Sequence, residues 1–274
     1  MDNPMMRPAD ARKRYSPADG RSRTSGALRM SQLDAPRTIP TVRGADALRV
    51  VDQVVDVVPR TRSERLNRAV NLTLALTAVT VLAPVFLAVA VAVKLTSRGP
   101  IFYRQARVGI DRRWNETRAM YDRRLQDLGG QVFSIYKFRS MFTNAEHRSG
   151  AVWAVREDPR VTPIGKFLRQ FRLDELPQLI NVIKGDMNIV GPRPERPSIF
   201  LRLCNDIAEY PMRQRSKPGI TGWAQINQSY DASIDDVRRK VAYDLQYIER
   251  QGLAVDMSIM LKTLPVMIFK RGSL

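Results

Sequence analysis

Two acidic side chains stand side by side in Arg172-Leu-Asp-Glu-Leu-Pro-Gln178, inside a chain whose formal net charge is +18. Adjacent carboxylates repel each other, so the pair needs a reason. If a helix begins at or just after Asp174, Pro177 falls in its first turn, where proline costs little. Both carboxylates then lie at the positive end of the helix dipole, a placement worth about 0.3–1 kcal/mol. Arg169 and Arg172 precede Asp174 by five and two positions and can offset the repulsion. Plain N-capping accounts for that much, since Asp is common at an N-cap. Chemistry accounts for more, because an Asp among phosphate-binding cations can ligate Mg²⁺ or attack phosphorus. Such cations are plentiful: Lys137, Arg139, Arg160, Arg169, Arg172, Arg193, Arg215 and Lys217 fall in stretches that also hold Gly and Pro. Arg-bearing loops and free helix N-termini both bind phosphate well.

What the chain lacks narrows the chemistry further. Cys204 is the only cysteine, so no disulfide and no cysteine-built metal site can form within the chain. His147 is the only histidine, so a multi-histidine zinc site is excluded and any Ser-His-Asp triad would have to use it. It sits in the polar run TNAEHRSG, which reads as loop. Carboxylates, Lys, Arg and Ser remain as working groups, and a divalent metal would be a hard, oxygen-liganded ion. Lys and Arg total 45 against 27 for Asp and Glu, a surplus that calls for anionic partners: nucleic acid, anionic lipid or phosphorylated substrates.

The elements that must position these groups follow from patterning. Residues 1–62 read as a basic, disordered tail, rich in Pro, Ser, Arg, Asp and Gly and with few aromatics. No apolar stretch follows the first basic residues, so this is not a secretory signal. Residues 63–274 then form one membrane-associated domain. Residues 69–93 carry no charge, and about 25 helical residues span about 38 Å, enough to cross a hydrocarbon core. Pro84 interrupts that run and breaks or kinks it. Both flanks are basic, with Arg60, Arg62, Arg65 and Arg68 before and Lys94, Arg98, Arg104 and Arg107 after. Because basic flanks favour the cytoplasmic side, a re-entrant helix hairpin is preferred over a spanning helix. Thr77 and Thr80 can supply hydroxyls at its turn.

Alternation at 101–109 and 131–141 predicts a small β-hairpin with a solvated, partly helical insertion at 110–130. Thr162-Pro163 starts a helix over IGKFLRQFR, and a second helix runs from near Asp174 to Gly185. GPRPERP at 191–197 is a Pro-rich loop. A helix at 233–250 places Ile234, Val237, Val241, Leu245 and Ile248 on one face, with Ser233 and Asp236 as a capping box. The apolar, Lys-flanked end at 256–272 suits a helix lying on a membrane surface, or one packed on the core. The fold class expected is α+β, mostly helical: a membrane-embedded re-entrant helix hairpin, amphipathic interfacial helices and a small β-hairpin.

KFRSM (137–141), LDELPQLINVIKGDMNIVGPRP (173–194) and KPGITGWAQIN (217–227), in this order after an apolar segment, resemble the bacterial sugar transferases, the monotopic polyprenyl-phosphate phosphoglycosyl transferases. The resemblance covers about residues 64–274. It implies transfer of a sugar-1-phosphate from a UDP-sugar to undecaprenyl phosphate with release of UMP, the first membrane step of exopolysaccharide, capsule or O-antigen synthesis. It implies Asp174 as nucleophile forming a covalent phospho-sugar, Glu175 as acid/base or charge partner, and Mg²⁺ as cofactor with Asp174 as its ligand. Lys137, Arg169 and Arg193 fall at the family's phosphate-binding positions, and Arg139, Arg160, Arg215 and Lys217 are further candidates for the substrate phosphates. Asp186 either caps the loop after Gly185 or helps position the metal or Arg193, and Trp223 shapes the nucleotide pocket. The family's hairpin often breaks at Ser-Pro; here Ala83-Pro84 lacks that hydroxyl, and Thr80 must replace it. The implied setting is the bacterial inner membrane with the catalytic domain on its cytoplasmic face. Membrane lipid and other polysaccharide-assembly proteins are the implied partners, and nucleic acid is not one. Two other readings of the residues stay open: a membrane-tethered nucleic-acid-binding protein, and a non-catalytic scaffold in which Asp174 and Glu175 only cap a helix.

Overall fold

The apolar run folds as two helices. In the computed structural model, which describes residues 56–113, 129–143, 145, 158–228 and 233–268, α1 spans Glu64–Val81 and α2 spans Ala83–Thr96. Ser63 caps α1 by accepting the Leu66 N–H. Pro84 occupies the first turn of α2, where its missing N–H would have had no helical partner. The break therefore falls two residues earlier, at Leu82, and the two axes bend by 62°. The Thr80 hydroxyl donates to Leu76 O at 3.0 Å, within its own helix, instead of meeting a carbonyl freed by the proline. Such back-bonding itself favours a bend. Among the described residues no single helix is long and apolar enough to cross a membrane, whereas the bent pair together has the length and composition.

The predicted hairpin is present. β1 (Phe102–Val108) pairs antiparallel with β2 (Val132–Phe138), Phe102 opposite Phe138 and Val108 opposite Val132. The central part of the 110–130 insertion lies outside the described residues, as does His147. Phe138 sits 5.5 Å from the Phe86 ring of α2 and 5.4 Å from the Phe102 ring, which joins sheet to helix.

α3 (Pro163–Gln170) begins as expected, with the Thr162 hydroxyl accepting from Gly165 N at 3.0 Å. The next segment departs from expectation. Asp174 and Glu175 lie in a separate 3-10 turn, Leu173–Glu175, and α4 starts only at Gln178, with Pro177 at its N-cap position. It ends at Gly185, whose φ of 89° needs glycine.

A second sheet was not foreseen. β3 (Asn188–Val190) runs parallel to β4 (Gly219–Thr221). Between them lie α5 (Pro197–Asp206) and a 3-10 turn, Tyr210–Arg215. A Cβ on Gly219 would stand 2.1 Å from Gly191 N, so this close strand approach requires glycine. α6 (Trp223–Asn227), α7 (Ile234–Arg250) and α8 (Leu253–Ile268) complete the chain. The capping box on α7 forms, and Val237, Val241, Leu245 and Ile248 are buried, while Ile234 at its start is exposed. On α8 Ile259 is fully buried, yet Met257, Leu261 and Leu264 face outward.

The core explains how the acid pair is held. One cluster joins Ala75 of α1 to Ile135 of β2, to Leu179 and Val182 of α4, and to Met187 just beyond it. Another joins Val89 and Val93 of α2 to Phe138 and to Leu168 of α3. Each limb of the bent pair thus packs on one of the helices flanking the acidic turn. The Arg68 guanidinium of α1 also donates to Val182 O and Ile183 O at the end of α4. Residues 56–62 run across the domain: Val57 is buried, Arg60 N donates to Ile248 O at 3.1 Å, and Arg62 meets Asp256 at 3.3 Å.

Candidate active site

The acidic turn is made by an unusual backbone. Arg172 has φ 54°, the only positive φ outside glycine among the described residues. A left-handed conformation costs a side-chain-bearing residue about 1–2 kcal/mol. The reversal separates α3 from α4 and turns both carboxylates inward, where Asp174 is 7% and Glu175 8% exposed. Neither carboxylate caps a helix, because neither the turn nor α4 has a side-chain cap.

The two acids live in different surroundings. Glu175 accepts from Lys137 Nζ at 2.7 Å and from both terminal nitrogens of Arg193, with Arg172 at 3.9 Å. Burial alone would raise its pKa, yet Arg193 and Lys137 hold it well below the usual carboxylate range. Asp174 has no hydrogen bond or ion pair among the described residues. Burial pushes its carboxyl up, and Glu175 adds to this, while Lys137, Arg169 and Arg193 pull the other way. Burial lowers Lys137, and Glu175 counters it. Arg169 is oriented by donating Nε to Ser140 Oγ at 3.0 Å. Asp174, Glu175, Lys137, Arg169 and Arg193, drawn from four separate segments, therefore form one electrostatic unit.

Other candidates do not join it. Arg139 is 4% exposed and lies elsewhere, donating to Ser97 O at 2.6 Å, Ser97 Oγ at 2.7 Å and Arg98 O at 3.1 Å at the end of α2. Alternation along the extended chain explains this, since Lys137 and Arg139 share a face only while the strand continues, and it ends at Phe138. Arg160 is paired with Asp158 at 2.6 Å, which brings the Asp158 carboxyl down to about 2. Arg215 holds the N-terminal segment, donating to Val57 O and meeting Asp56, each at 2.6 Å. Lys217 donates to Gly185 O at 2.9 Å, at the opposite end of α4 from the acids. Asp186 accepts from Asn181 Nδ2 at 3.2 Å and neighbours Lys184, so it fastens the loop after Gly185 and does not meet Arg193. Trp223 is buried in α6 with Lys262 of α8 5.1 Å from its ring centre. None of these contacts the acid pair.

Three residues that hold the unit were given no role there in the sequence reading: Ser140, which orients Arg169; Arg107, which donates to Pro194 O and Glu195; and Arg213, which donates to Arg193 O. Ser140 could have been found by its place beside KFR. Arg213 pairs with Asp244, 31 positions away, at 2.6 Å, and no local pattern announces a pairing of that range.

Comparison with known proteins shows the family. The family described as bacterial sugar transferase matches residues 62–270, which contain the whole unit. A UDP-N-acetylgalactosamine-undecaprenyl-phosphate N-acetylgalactosaminephosphotransferase from Aeromonas hydrophila is 40% identical over 199 residues, covering 73% of this chain and 43% of that protein. An undecaprenyl-phosphate glucose phosphotransferase from Komagataeibacter xylinus is 39% identical over 212 residues, covering 76% and 36% respectively. The exopolysaccharide production protein ExoY of Sinorhizobium fredii is 36% identical over 221 residues, covering 76% and 87%. The chain thus spans less than half the length of the first two relatives. With a family match running from the start of the bent helix pair to the end of α8, the chain belongs to the bacterial sugar transferase family.

Proposed function

We propose that this chain transfers a sugar-1-phosphate from a UDP-sugar to undecaprenyl phosphate, through a covalent phospho-sugar on Asp174. The observation that carries the reading is the unpartnered Asp174 carboxylate, buried beside a fully paired Glu175. A carboxylate with no hydrogen bonds to break and little water to shed is a competent nucleophile. It attacks the sugar-bearing phosphorus of the diphosphate, a new Asp174 oxygen–phosphorus bond forms, and the bond to UMP breaks with UMP leaving as the anion. A phosphate oxygen of undecaprenyl phosphate then attacks the same phosphorus and the Asp174 carboxylate is released. Neither step requires a proton from Glu175. Its depressed pKa suits a charge partner that keeps Lys137 and Arg193 beside the reacting phosphates. The scaffold reading needs both acids as caps, and neither caps.

Mg²⁺ fits these residues in one way. Among the described residues no group of His, Cys, Asp or Glu forms a metal cluster. Mg²⁺ is commonly held by one or two carboxylates with substrate phosphates and water, and Asp174 offers one free carboxylate. Asp174 would hold the ion, which would neutralise diphosphate charge. The bent pair α1–α2 is read as a re-entrant hairpin that dips into the cytoplasmic face of the inner membrane. Its outward side chains include Leu76, Val81, Leu87, Val91 and Leu95, and apolar area of that kind favours lipid over water. The exposed Leu261 and Leu264 of α8 suit the same interface.

UMP release by detergent-purified protein tests the reading, with Mg²⁺, undecaprenyl phosphate and a panel of UDP-sugars that includes glucose and N-acetylgalactosamine. Release with one donor, lost in Asp174→Asn and on chelation, is expected. Release that persists in Asp174→Asn would overturn it.

A further inference from the structure

We propose that Arg107 and Arg213 are positioning residues that brace the Pro192–Glu195 loop so that Arg193 stays on Glu175. The inference rests on the reading of Asp174 and Glu175 as the reacting pair.

The loop Pro192-Arg193-Pro194-Glu195 belongs to no strand or helix. Even so, each of its consecutive carbonyls accepts a hydrogen bond from a different donor. Gly219 N donates to Pro192 O at 3.0 Å, Arg213 Nη2 to Arg193 O at 3.0 Å, Arg107 Nη1 to Pro194 O at 3.0 Å, and Val108 N to Glu195 O at 2.9 Å. Two of these donors are guanidinium groups, each fixed by further bonds. Arg213 is 1% exposed and also donates to Asp244 at 2.6 Å and to the Tyr210 hydroxyl at 2.7 Å. Arg107 also donates to Glu195 at 3.0 Å and to Gln105 at 2.7 Å.

A buried charge is costly unless paired, and each arginine has its own acid, Asp244 or Glu195. Neither therefore brings surplus charge to the site. What each brings is place. A guanidinium is a planar, rigid fork that holds a carboxylate and a carbonyl in one fixed relative geometry, whereas a lysine ammonium is a point charge on a flexible stem. Two prolines already limit the loop's φ angles. The Arg193 backbone is thus held from β1, from β4 and from the Tyr210–Arg215 turn, and only its side chain is left to pass between Glu175 and an incoming phosphate. A displacement of about 1 Å at such a position can cost on the order of a hundredfold in rate.

The test uses the full chain in detergent and reads UMP-release kcat and KM for Arg107→Gln, Arg107→Lys and Arg213→Gln, each alone and combined with Arg193→Gln. Action through Arg193 makes the losses non-additive. Arg107→Gln should lower kcat by about tenfold or more in the parent, and by no more than about twofold where Arg193 is already gone. Arg107→Lys should not rescue it. Equal losses in both backgrounds would overturn the proposal. Thermal unfolding supplies an arm free of activity: the coupling between Arg193→Gln and Glu175→Gln should shrink when Arg107 is Gln, and an unchanged coupling would overturn it. Should Arg213→Gln fail to fold, Arg107→Gln, with a side chain 16% exposed, carries both arms. A parent that releases no UMP with any donor defeats the functional reading alone, and the unfolding arm still decides this one.

Discussion

Asp174 and Glu175 are neighbours of the same chemistry, and their surroundings drive them apart. The Glu175 pKa is held far below its unfolded value, so its ionised form stabilises the fold at any pH above the unfolded carboxylate range. That stability is lost as pH falls through the folded pKa. Glu175→Gln leaves the half-buried Lys137 and Arg193 without their counter-charge and weakens charge-assisted hydrogen bonds, and should cost about 1.5–3 kcal/mol, read by denaturant unfolding at pH 7. For Asp174 the sign reverses. Its folded pKa is raised, so above that pKa its ionisation works against the fold. Asp174→Asn should leave the melting temperature unchanged or higher at pH 7, while turnover falls by about a thousandfold or more. A capping Asp would instead lose about 1 kcal/mol of stability. The same raised pKa places the acid limb of the kcat profile above the ordinary Asp range, set jointly by Asp174 with Glu175, Lys137, Arg169 and Arg193. The acid pair stood out because adjacent carboxylates beside Arg and Lys in Gly- and Pro-bearing stretches admit either capping or phosphate chemistry, and the resemblance of 173–194 pointed to the second and to Lys137, Arg169 and Arg193. Arg139 was not legible, because its acceptors are backbone carbonyls on another element, and a carbonyl leaves no mark in sequence.

At the scale of elements, two physical devices set the site. The left-handed Arg172 turns the chain between α3 and α4, and Pro84 bends the helix pair whose limbs pack on those helices. If the pair is re-entrant, both ends lie on one side of the membrane. Cysteines placed at Ser63 and at Ser97, in a Cys204→Ser background, should both react with an impermeant thiol reagent from the cytoplasmic side of inverted vesicles. Labelling of one end only would show a crossing. The β-hairpin and α7 were readable because their apolar periods persist for many residues. β3 and β4 were not, because strands of this length hold too few side chains to show a period, and their pairing depends on the close approach at Gly191 and Gly219.

Over the whole molecule, the segment 56–62 ties the start of the domain to its end. Arg60 bonds Ile248, Arg62 meets Asp256, and Asp256 in turn accepts from the Tyr247 hydroxyl at 2.8 Å. Removing residues 1–62 should therefore lower the melting temperature by several degrees more than removing residues 1–55. The contacts of 56–62 were not legible in composition, because a short extended strap stabilised by backbone bonds has no apolar run to declare it. On the proposed reading, the net charge of +18 would hold the domain against anionic lipid and draw in phosphorylated substrates. The central claim, a phospho-sugar bound to Asp174, is met most directly by intact-mass spectrometry of protein exposed to UDP-sugar and Mg²⁺ with the lipid acceptor withheld. The account predicts an adduct of one sugar phosphate on the peptide carrying Asp174, absent in Asp174→Asn and discharged by undecaprenyl phosphate. An enzyme that turns over with acceptor present, yet shows no adduct and no UMP release without it, would contradict the account.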